Sequence, residues 1–337
     1  MSSIEIIAEI GVNHDGSLDK ARRLVDAACD AGADWAKFQT FRSGLLAAGG
    51  APTAAYQKQH HAGDQRSMLE RLELSTADFA ALQQYCGDRG IGFLSSPFDQ
   101  ESLGDLLALG LESIKLGSGE LTNLPLLERL GGAGVRVLLS TGMSDLGEVE
   151  TAVQTLQSAG CGDLVLLHCV TQYPAPVAES NLRAMHTLRE AFGLPVGYSD
   201  HTPGIEVTVA AAALGAVVLE KHLTLDRADA GPDHAASCAP EEFAALVAAV
   251  RNVEAALGDG VKRPAPCELP NQVVARKSLV TVRDLPAGMV VTADDLTIKR
   301  PGDGIPPAHL STVVGLALAR PVAADQVLKW EDFRHGG

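Results

Sequence analysis

The stretch VGYSDHT, residues 196–202, begins as a short apolar run and ends in polar and charged residues. After a gap long enough for one helix, the stretch VVLEKH, residues 217–222, repeats this pattern. Short apolar runs joined by helix-length segments are typical of parallel strands linked by crossover helices. A strand that only fills a core has no use for a histidine at its end. We therefore expect a parallel sheet whose strand ends carry a functional site.

The same alternation of apolar runs and helical patterns extends from the start of the chain to residue 258. Ser17 is placed to begin the first helix and Gly32 to end it. Eight runs over this length fit a (β/α)8 barrel, or TIM barrel, which we predict for residues 1–258. A doubly wound open sheet is the alternative. The eight runs are Ile4–Ile10, Trp35–Phe38, Ile91–Leu94, Ser113–Leu116, Val135–Leu139, Leu164–Leu167, Val196–Tyr198 and Val217–Leu219.

The alternation stops at a proline-containing segment, residues 259–275, which we interpret as a linker. Residues 276–337 then form a predicted small domain, with short β-prone runs at Ser278–Val282 and Val290–Thr292. A domain of this size is near the lower limit for independent stability, so we expect it to dock onto a larger partner.

Charge and composition exclude several classes of protein. The 337-residue chain has 27 Lys and Arg against 42 Asp and Glu, a net charge of −15 at pH 7. Such a chain repels nucleic acids and anionic membranes, although a few local lysines still allow a small anionic substrate. The six cysteines show no CxxC spacing, and no apolar stretch approaches the length of a membrane span. We expect a cytoplasmic protein with reduced thiols and no signal peptide.

Two lysines lie within apolar runs, where a charge needs a counter-ion. Lys37 belongs to the second predicted strand and Lys115 to the fourth. Segments 117–119 (GSG) and 140–142 (STG) follow neighbouring strands and supply hydroxyl and backbone N–H donors. Together these groups predict a site for a phosphate or carboxylate. The alternative is that each lysine pairs with a structural carboxylate such as Glu9.

His201 and His222 end the last two predicted strands. Neighbouring strands lie about 4.8 Å apart, so the two imidazoles could share one divalent metal ion. A pair of hydrogen-bonded histidines without a metal is the alternative. For His14 and His168 we favour a structural role.

Nine motifs in order resemble those of the bacterial sialic acid synthases, a family that includes the legionaminic and pseudaminic acid synthases. The resemblance covers almost the whole chain and implies a TIM barrel followed by a C-terminal antifreeze-like (SAF) domain. It also implies a domain-swapped homodimer. The motifs are AEIGVNHDGSLDKA, WAKFQT, IKLGSGE, LSTGM, LLHCVTQYPAP, YSDHT, LEKHLTLDR, GPDHAAS and IKRPGDGI.

The resemblance also implies an activity. Members of this family condense phosphoenolpyruvate with the open-chain aldehyde of an N-acetylated hexosamine. The product is a nine-carbon 2-keto-3-deoxy acid, and phosphate leaves by C–O cleavage. A divalent metal is implied as cofactor, with Mn²⁺ as the first expectation and Mg²⁺, Co²⁺ and Zn²⁺ as alternatives.

Roles are carried over from the family position by position. The implied phosphoenolpyruvate ligands are Lys37, Lys115, Ser118, Ser140 and Ser199. The implied metal ligands are His201 and His222. The implied catalytic residues are Glu9, Glu120 and again His222. The implied sugar contacts are Gln39, Tyr173, Asp233 and, sent by the small domain into the partner's site, Arg300.

The chain departs from the family pattern near the expected sugar. Residues 60–63 are HHAG where the family usually has Asn-Thr-Gly. Gln172 replaces the usual Glu, Val170 a Thr, and Ala235 a Lys. The sugar is therefore N-acetylmannosamine or a less hydrophilic diacetamido-trideoxyhexose, which the loss of Lys and Glu would suit.

Two other functions compete with the synthase. A TIM-barrel metal hydrolase would use the two strand-end histidines but leave the two buried lysines unexplained. A non-catalytic sugar- or ice-binding protein would use the antifreeze-like tail. Ice binders present a regular, Thr-rich face, whereas this tail carries scattered threonines and charged residues.

Overall fold

The computed structural model describes residues 3–48 and 65–334. The chain divides into two compact units, Met1–Gly258 and Asp259–Gly337. Residues 60–63, where the sequence departs from the family pattern, lie outside the described residues.

The first unit is built on eight parallel strands, which pair in the order β3-β2-β1-β8-β7-β6-β5-β4. The end strands β3 and β4 lie beside each other, so the sheet closes on itself. This near-closed barrel confirms the predicted TIM-barrel fold and excludes the open sheet. The strands are β1 Glu5–Gly11, β2 Trp35–Thr40, β3 Gly92–Pro97, β4 Ser113–Leu116, β5 Arg136–Ser140, β6 Leu164–Cys169, β7 Val196–Asp200 and β8 Val218–His222.

Helices follow the strands, and their ends match the predicted signals. Ser17 Oγ accepts a hydrogen bond from Lys20 N at the start of α1, and Gly32 follows that helix with φ +84°. Two short helices, α2 and α3, are inserted between β2 and β3. The helices of this unit are α1 Leu18–Asp30, α2 Ser43–Leu46, α3 Gln65–Leu72, α4 Thr76–Arg89, α5 Gln100–Ala108, α6 Leu124–Gly131, α7 Leu146–Ser158, α8 Ala184–Phe192, α9 Glu206–Ala213 and α10 Pro240–Leu257.

The barrel interior is apolar at one end and polar at the other. A large apolar cluster fills the space between strands and helices. A second cluster, which includes Ile7, Leu138 and Val218, fills the middle of the barrel. Since successive residues of a strand point to opposite faces, the next inward positions toward the carboxyl ends are Glu9, Ser140 and Glu220. The polar layer therefore packs directly against the apolar cluster in the middle of the barrel.

The second unit begins within the segment predicted as a linker, where residues Leu269–Ala275 form helix α11. Strands β9 (Ser278–Thr281) and β10 (Leu296–Lys299) pair antiparallel, and a short helix α12 covers Leu310–Val313. The β-prone run predicted at 290–292 does not form a strand. Val290 makes only an isolated bridge to Ala317, because this apolar run serves the core through the fully buried Val291.

All six cysteines are unpaired thiols. Within residues 3–48 and 65–334, no helix has the length and apolar character needed to cross a bilayer.

Candidate active site

A cavity of about 310 Å³ opens at the carboxyl ends of the barrel strands. It collects side chains from all eight strands or the turns that follow them. Most of the site residues expected from the sequence share its wall. These are Glu9, Lys37, Gln39, Lys115, Ser118, Ser140, Tyr173, Ser199, His201, His222 and Asp233.

Strand register brings the charged residues together. Glu9 on β1 pairs with Lys37 on β2 and with His222 on β8. Ser199 on β7 pairs with Glu220 on β8. Residues opposite one another in a parallel sheet that also share a face lie at one height in the barrel. The register therefore stacks cation, carboxylate and imidazole in one layer.

Glu220 links the two lysines at the base of the cavity. Its carboxylate lies 3.3 Å from Lys115 Nζ and 3.6 Å from Lys37 Nζ, and accepts a 2.7 Å hydrogen bond from Ser199 Oγ. Burial alone would raise the pKa of Glu220, but Lys115 and Lys37 outweigh burial and lower it. Sequence reasoning counted Glu220 among the polar strand ends but gave it no role. Its spacing of two residues from His222, hence the same strand face, was the available signal.

Lys37 also pairs with Glu9, with Nζ 2.6 Å from Glu9 Oε2, and donates to Ser96 Oγ at 3.3 Å. Burial would lower the pKa of Lys37, but Glu220 and Glu9 raise it, so the ammonium stays charged. Burial raises the pKa of Glu9 despite Lys37. The alternative that Lys37 pairs with a structural carboxylate such as Glu9 is therefore correct for the ion pair. Lys37 nevertheless also lines the cavity.

Hydroxyl and backbone groups surround the lysines on the β4–β5 side. Ser118 Oγ accepts from Gly142 N at 3.0 Å and lies 3.1 Å from Cys169 Sγ. Ser140 Oγ is buried and has no hydrogen-bond partner among the described residues. A Cβ at Gly142 would lie 2.2 Å from Thr171 Oγ1, so only glycine fits this close approach. An unpaired buried hydroxyl that lines the same cavity as two ammonium groups suits a bound anion.

His201 and His222 face each other, with ring centroids 5.5 Å apart. His201 Nδ1 donates to Val170 O at 2.7 Å, which leaves Nε2 with its lone pair. Burial lowers the pKa of His201 to about 4, and burial together with the neighbouring His201 lowers the pKa of His222 far below its ordinary value. His222 Nδ1 is buried without a hydrogen-bond partner among the described residues. Two neutral imidazoles with free lone pairs fit a divalent metal.

Carboxylate and amide groups lie on the β1–β2–β8 side. Gln39 Nε2 donates to Glu9 Oε1 at 2.9 Å. Asp233 Oδ2 lies 3.8 Å from His222 Nδ1. Burial and, to a smaller degree, Glu9 raise the pKa of Asp233 to about 7. Tyr173 stacks on His201 with a centroid distance of 4.1 Å.

Comparison with known proteins identifies the family. A family model described as the NeuB family matches residues 24–262, and a SAF domain model matches residues 276–334. The chain belongs to the NeuB family. It is an enzyme of the sialic acid synthase type, and the predicted antifreeze-like (SAF) domain is confirmed.

The NeuB-family chain resembles its relatives over nearly its full length. It is 44% identical over 332 residues to an N,N'-diacetyllegionaminic acid synthase of Legionella pneumophila, covering 97% of this chain and 93% of that protein. It is 42% identical to the protein of the same name from Campylobacter jejuni, covering 98% and 100%. A crystal structure of an N-acetylneuraminic acid synthetase from Leptospira borgpetersenii matches with a TM-score of 0.71 and 34% identity, covering 80% of this chain and 90% of that one.

Two expected site residues of this NeuB-family enzyme, Glu120 and Arg300, are not among the residues that line the cavity. Glu120 is buried beside the cavity rather than in its wall, because the turn Ser118–Glu120 directs it to Asn123, whose Nδ2 donates to Glu120 Oε2 at 2.7 Å. Arg300 belongs to the second unit, where its Nε donates to Ala275 O at 3.1 Å. Ser118 and Gly119 line the cavity next to Glu120, whose catalytic role stays a prediction.

The sequence departures also lie away from the cavity wall. Gln172 and Ala235 are exposed, and neither lines the cavity. Val170 contributes its carbonyl oxygen to His201 rather than a side chain to the cavity. These three substitutions therefore do not by themselves define the sugar site.

A second group of metal-type ligands lies outside the cavity of the NeuB-family chain. Ligand atoms of Asp15, Asp229 and His234 lie within 4.8 Å of one another. However, Lys20 Nζ lies 2.5 Å from Asp15 Oδ2 and 2.6 Å from Asp229 Oδ2. The lysine ammonium already supplies the cation at this cluster, which ties the loop after β8 to helix α1.

Proposed function

We propose that this enzyme condenses phosphoenolpyruvate with the open-chain aldehyde of an acetamido hexose. The observation that carries the proposal is one cavity whose wall contains both buried lysines and both neutral histidines. A metal hydrolase would account for the histidines but not for two lysines held beside an unpaired serine hydroxyl.

Phosphoenolpyruvate binds in this proposal on the β4–β5 side of the cavity. Lys37 and Lys115 offset its negative charge, and Ser118 and Ser140 donate hydrogen bonds. Ser199, whose hydroxyl donates to Glu220, is a further contact on the cavity wall. Glu220 keeps both ammonium groups at the base of the site. The enol C3 is then held for attack on the sugar.

His201 and His222 would hold the divalent metal, with Mn²⁺ as the first candidate and Mg²⁺, Co²⁺ or Zn²⁺ as alternatives. When bound there, the metal supplies Lewis-acid polarisation of the aldehyde oxygen. Tyr173 supports the ring of His201, and Val170 O fixes its tautomer.

The reaction forms one bond between C3 of phosphoenolpyruvate and the aldehyde carbon. Water then adds at C2, and the C–O bond to phosphate breaks, so inorganic phosphate and a 2-keto-3-deoxy acid are the products. Glu9 is the proposed group that orients or deprotonates this water, since it lines the cavity with a raised pKa and Glu120 does not line it. Gln39 and Asp233 position the sugar.

Arg300 of the partner subunit completes the site in a domain-swapped homodimer. The SAF domain match and the small size of that domain support this part of the proposal. The cytoplasm is the proposed compartment, since its reducing conditions suit six unpaired cysteines.

The identity of the sugar substrate is N-acetylmannosamine or a diacetamido-trideoxyhexose. Relatives at 44% and 42% identity bear the name N,N'-diacetyllegionaminic acid synthase, which favours a diacetamido-trideoxyhexose over N-acetylmannosamine.

A phosphate-release assay tests the function. The full chain is incubated with phosphoenolpyruvate, Mn²⁺ and a panel of acetamido sugars, with and without a chelator. Release that requires both sugar and metal is the expected result, and His201→Ala should abolish it while leaving the circular dichroism spectrum unchanged. Hydrolysis without sugar would support the hydrolase, and silence on every sugar would support a binding protein.

A further inference from the structure

Two buried charged residues have no part in the proposed chemistry. Asp200 is 0% exposed and Lys221 2% exposed, and neither lines the cavity. Asp200 directly precedes His201 in the chain, and Lys221 directly precedes His222. Because neighbouring residues of a strand point to opposite faces and His222 lines the cavity, Lys221 points away from the cavity, toward the surrounding helices.

A network of hydrogen bonds surrounds this buried ion pair. Lys221 Nζ lies 2.7 Å from Asp200 Oδ2 and donates to Thr202 O at 2.6 Å. Thr202 N and Thr202 Oγ1 donate to Asp200 Oδ1 at 2.9 Å and 2.8 Å. Thr208 Oγ1, on α9, donates to Asp200 Oδ2 at 2.5 Å. We name these four residues the Asp200 network, and both oxygens of its carboxylate are hydrogen-bonded.

The Asp200 network holds the backbone that carries the two histidines. Asp200 ends β7 and Thr202 follows His201, so the bonds between Asp200 and Thr202 fix the chain on both sides of His201. Lys221 pairs with Asp200 in the register of β7 and β8, and His222 comes next along β8. The network therefore supports the arrangement in which the two rings face each other with centroids 5.5 Å apart.

Stability alone does not require a charged pair at this place. Burial of a charge costs free energy, and replacing a buried ion pair by apolar residues of similar volume is often neutral or stabilising. A metal centre, in contrast, needs its ligand atoms held within about 0.5 Å of their working positions. A buried polar network whose members are all hydrogen-bonded supplies that kind of rigidity.

We propose that Asp200 and Lys221 are positioning residues that hold His201 and His222 at the separation that one divalent ion requires. This inference rests on the two histidines being the metal ligands of the proposed function. When the Asp200 network is weakened, both imidazoles remain in the chain but their separation is no longer fixed, so metal affinity falls while the barrel stays folded.

Binding of Mn²⁺ alone to the chelator-treated full chain tests this inference. Thr208→Val removes the hydroxyl that bonds Asp200 and should weaken Mn²⁺ binding about 10-fold, whereas Lys221→Met removes the cation and should weaken it about 100-fold. Electron paramagnetic resonance of free Mn²⁺ gives the dissociation constant, and circular dichroism checks the fold. If Lys221→Met does not fold, Thr208→Val still decides the question, because the ion pair remains in that variant.

Two matched variants separate positioning from a general loss of stability. Thr208→Ser keeps the hydroxyl and should bind Mn²⁺ like the wild type. Arg136→Met breaks an ion pair with Glu5 at the amino ends of β5 and β1, where the Nη atoms lie 2.8 Å and 2.7 Å from the carboxylate oxygens. This variant should unfold at a lower urea concentration but keep the wild-type dissociation constant for Mn²⁺.

The outcomes distinguish this inference from the proposed metal site. Wild-type affinity in Thr208→Val, or an equal loss of affinity in Arg136→Met, would overturn the positioning role and leave the proposed condensation intact. If the wild-type chain binds neither Mn²⁺ nor Zn²⁺, or if His201→Ala binds them as tightly as the wild type, the histidine metal site is itself wrong and this inference fails with it.

Discussion

Lys37 illustrates how one residue serves both fold and site. Its ammonium lies between Glu9 and Glu220, and the lysine side chain is 2% exposed. A buried charge of this kind is stable only while its partners remain. Among the residues that the structure describes, Lys115 forms an ion pair with Glu220 alone, and it is slightly more exposed, so its loss leaves fewer unpaired charges.

This difference predicts unequal effects for two matched substitutions. Lys37→Met should lower the free energy of unfolding by about 3–5 kcal/mol, because it leaves two buried carboxylates with one fewer cation. Lys115→Met should lower the free energy of unfolding by less than Lys37→Met does. It should raise KM for phosphoenolpyruvate far more than KM for the sugar. Urea denaturation and steady-state kinetics measure the two effects. Equal losses of stability, or an unchanged KM for phosphoenolpyruvate in the Lys115 variant, would contradict this assignment.

His14 gives a pH prediction that does not involve the proposed metal ligands. Burial lowers its pKa from 6.5 to about 4 in the folded chain. Between these values the unfolded chain binds more protons, so stability is present above pH 6.5 and is lost as the pH falls toward 4. The maximum contribution is about 3 kcal/mol.

The variant His14→Asn tests this contribution, since its amide oxygen replaces Nδ1 as the acceptor for Gly16 N. We expect a smaller loss of unfolding free energy between pH 6.5 and 4 than in the wild type. The measurement is chemical denaturation at both pH values. Parallel stability curves for the two proteins would show that His14 is not buried in its neutral form.

At the scale of elements, the apolar runs located all eight strands but not their ends. β2 continues to Thr40, β7 to Asp200 and β8 to His222, each beyond its predicted run. Some of the final residues of these strands line the cavity, such as Gln39, Ser199 and Glu220. Others are buried polar partners outside it, such as Asp200 and Lys221, so hydrophobic periodicity stops before the backbone ladder does. The opposite case occurs at residues 290–292, where Val291 is buried in the core and Val290 is exposed, and no continuous strand forms.

The loop after β8 is held by several contacts, and one of them is an ion pair with Lys20. Lys20 on α1 holds Asp229 of this loop, and Asp233 of the same loop lines the cavity. We therefore expect Lys20→Ala to raise KM for the sugar several-fold, with little change in KM for phosphoenolpyruvate.

The exposed Arg23 provides a matched control for Lys20. It carries the same charge on the same helix and forms no ion pair within the described parts of the chain. Steady-state kinetics should show Arg23→Ala equal to the wild type. If both variants behave alike, Lys20 does not position the loop.

At the scale of the whole molecule, the sequence predicted the barrel because one pattern repeats eight times. It did not predict helices α2 and α3, which contribute Leu46, Met68, Leu69 and Leu72 to the cavity lining, because short helices in a long connection have no strong periodic signal. Glu220 received no role although its spacing from His222 puts both on one strand face. Sequence order does not show that the turn after β4 directs Glu120 toward Asn123.

Subunit complementation tests the swapped small domain. Lys115→Ala should inactivate the barrel, and Arg300→Ala should inactivate the arm that the partner is proposed to receive. Each variant alone should be nearly inactive. Co-expressed variants should recover about a quarter of wild-type activity, because random pairing gives half heterodimers with one intact site each. Recovery no greater than the sum of the two variants would show that Arg300 acts within its own chain or not at all.

The most direct test of the condensation follows an oxygen label. Phosphoenolpyruvate labelled with ¹⁸O at the ester oxygen between C2 and phosphorus is turned over by the full chain with Mn²⁺ and an acetamido sugar. Mass spectrometry of the released phosphate should show that it carries the label, and release should stop when the sugar is omitted. Unlabelled phosphate, or labelled phosphate formed without sugar, would contradict the proposal that the lysines and histidines of this cavity join the two substrates.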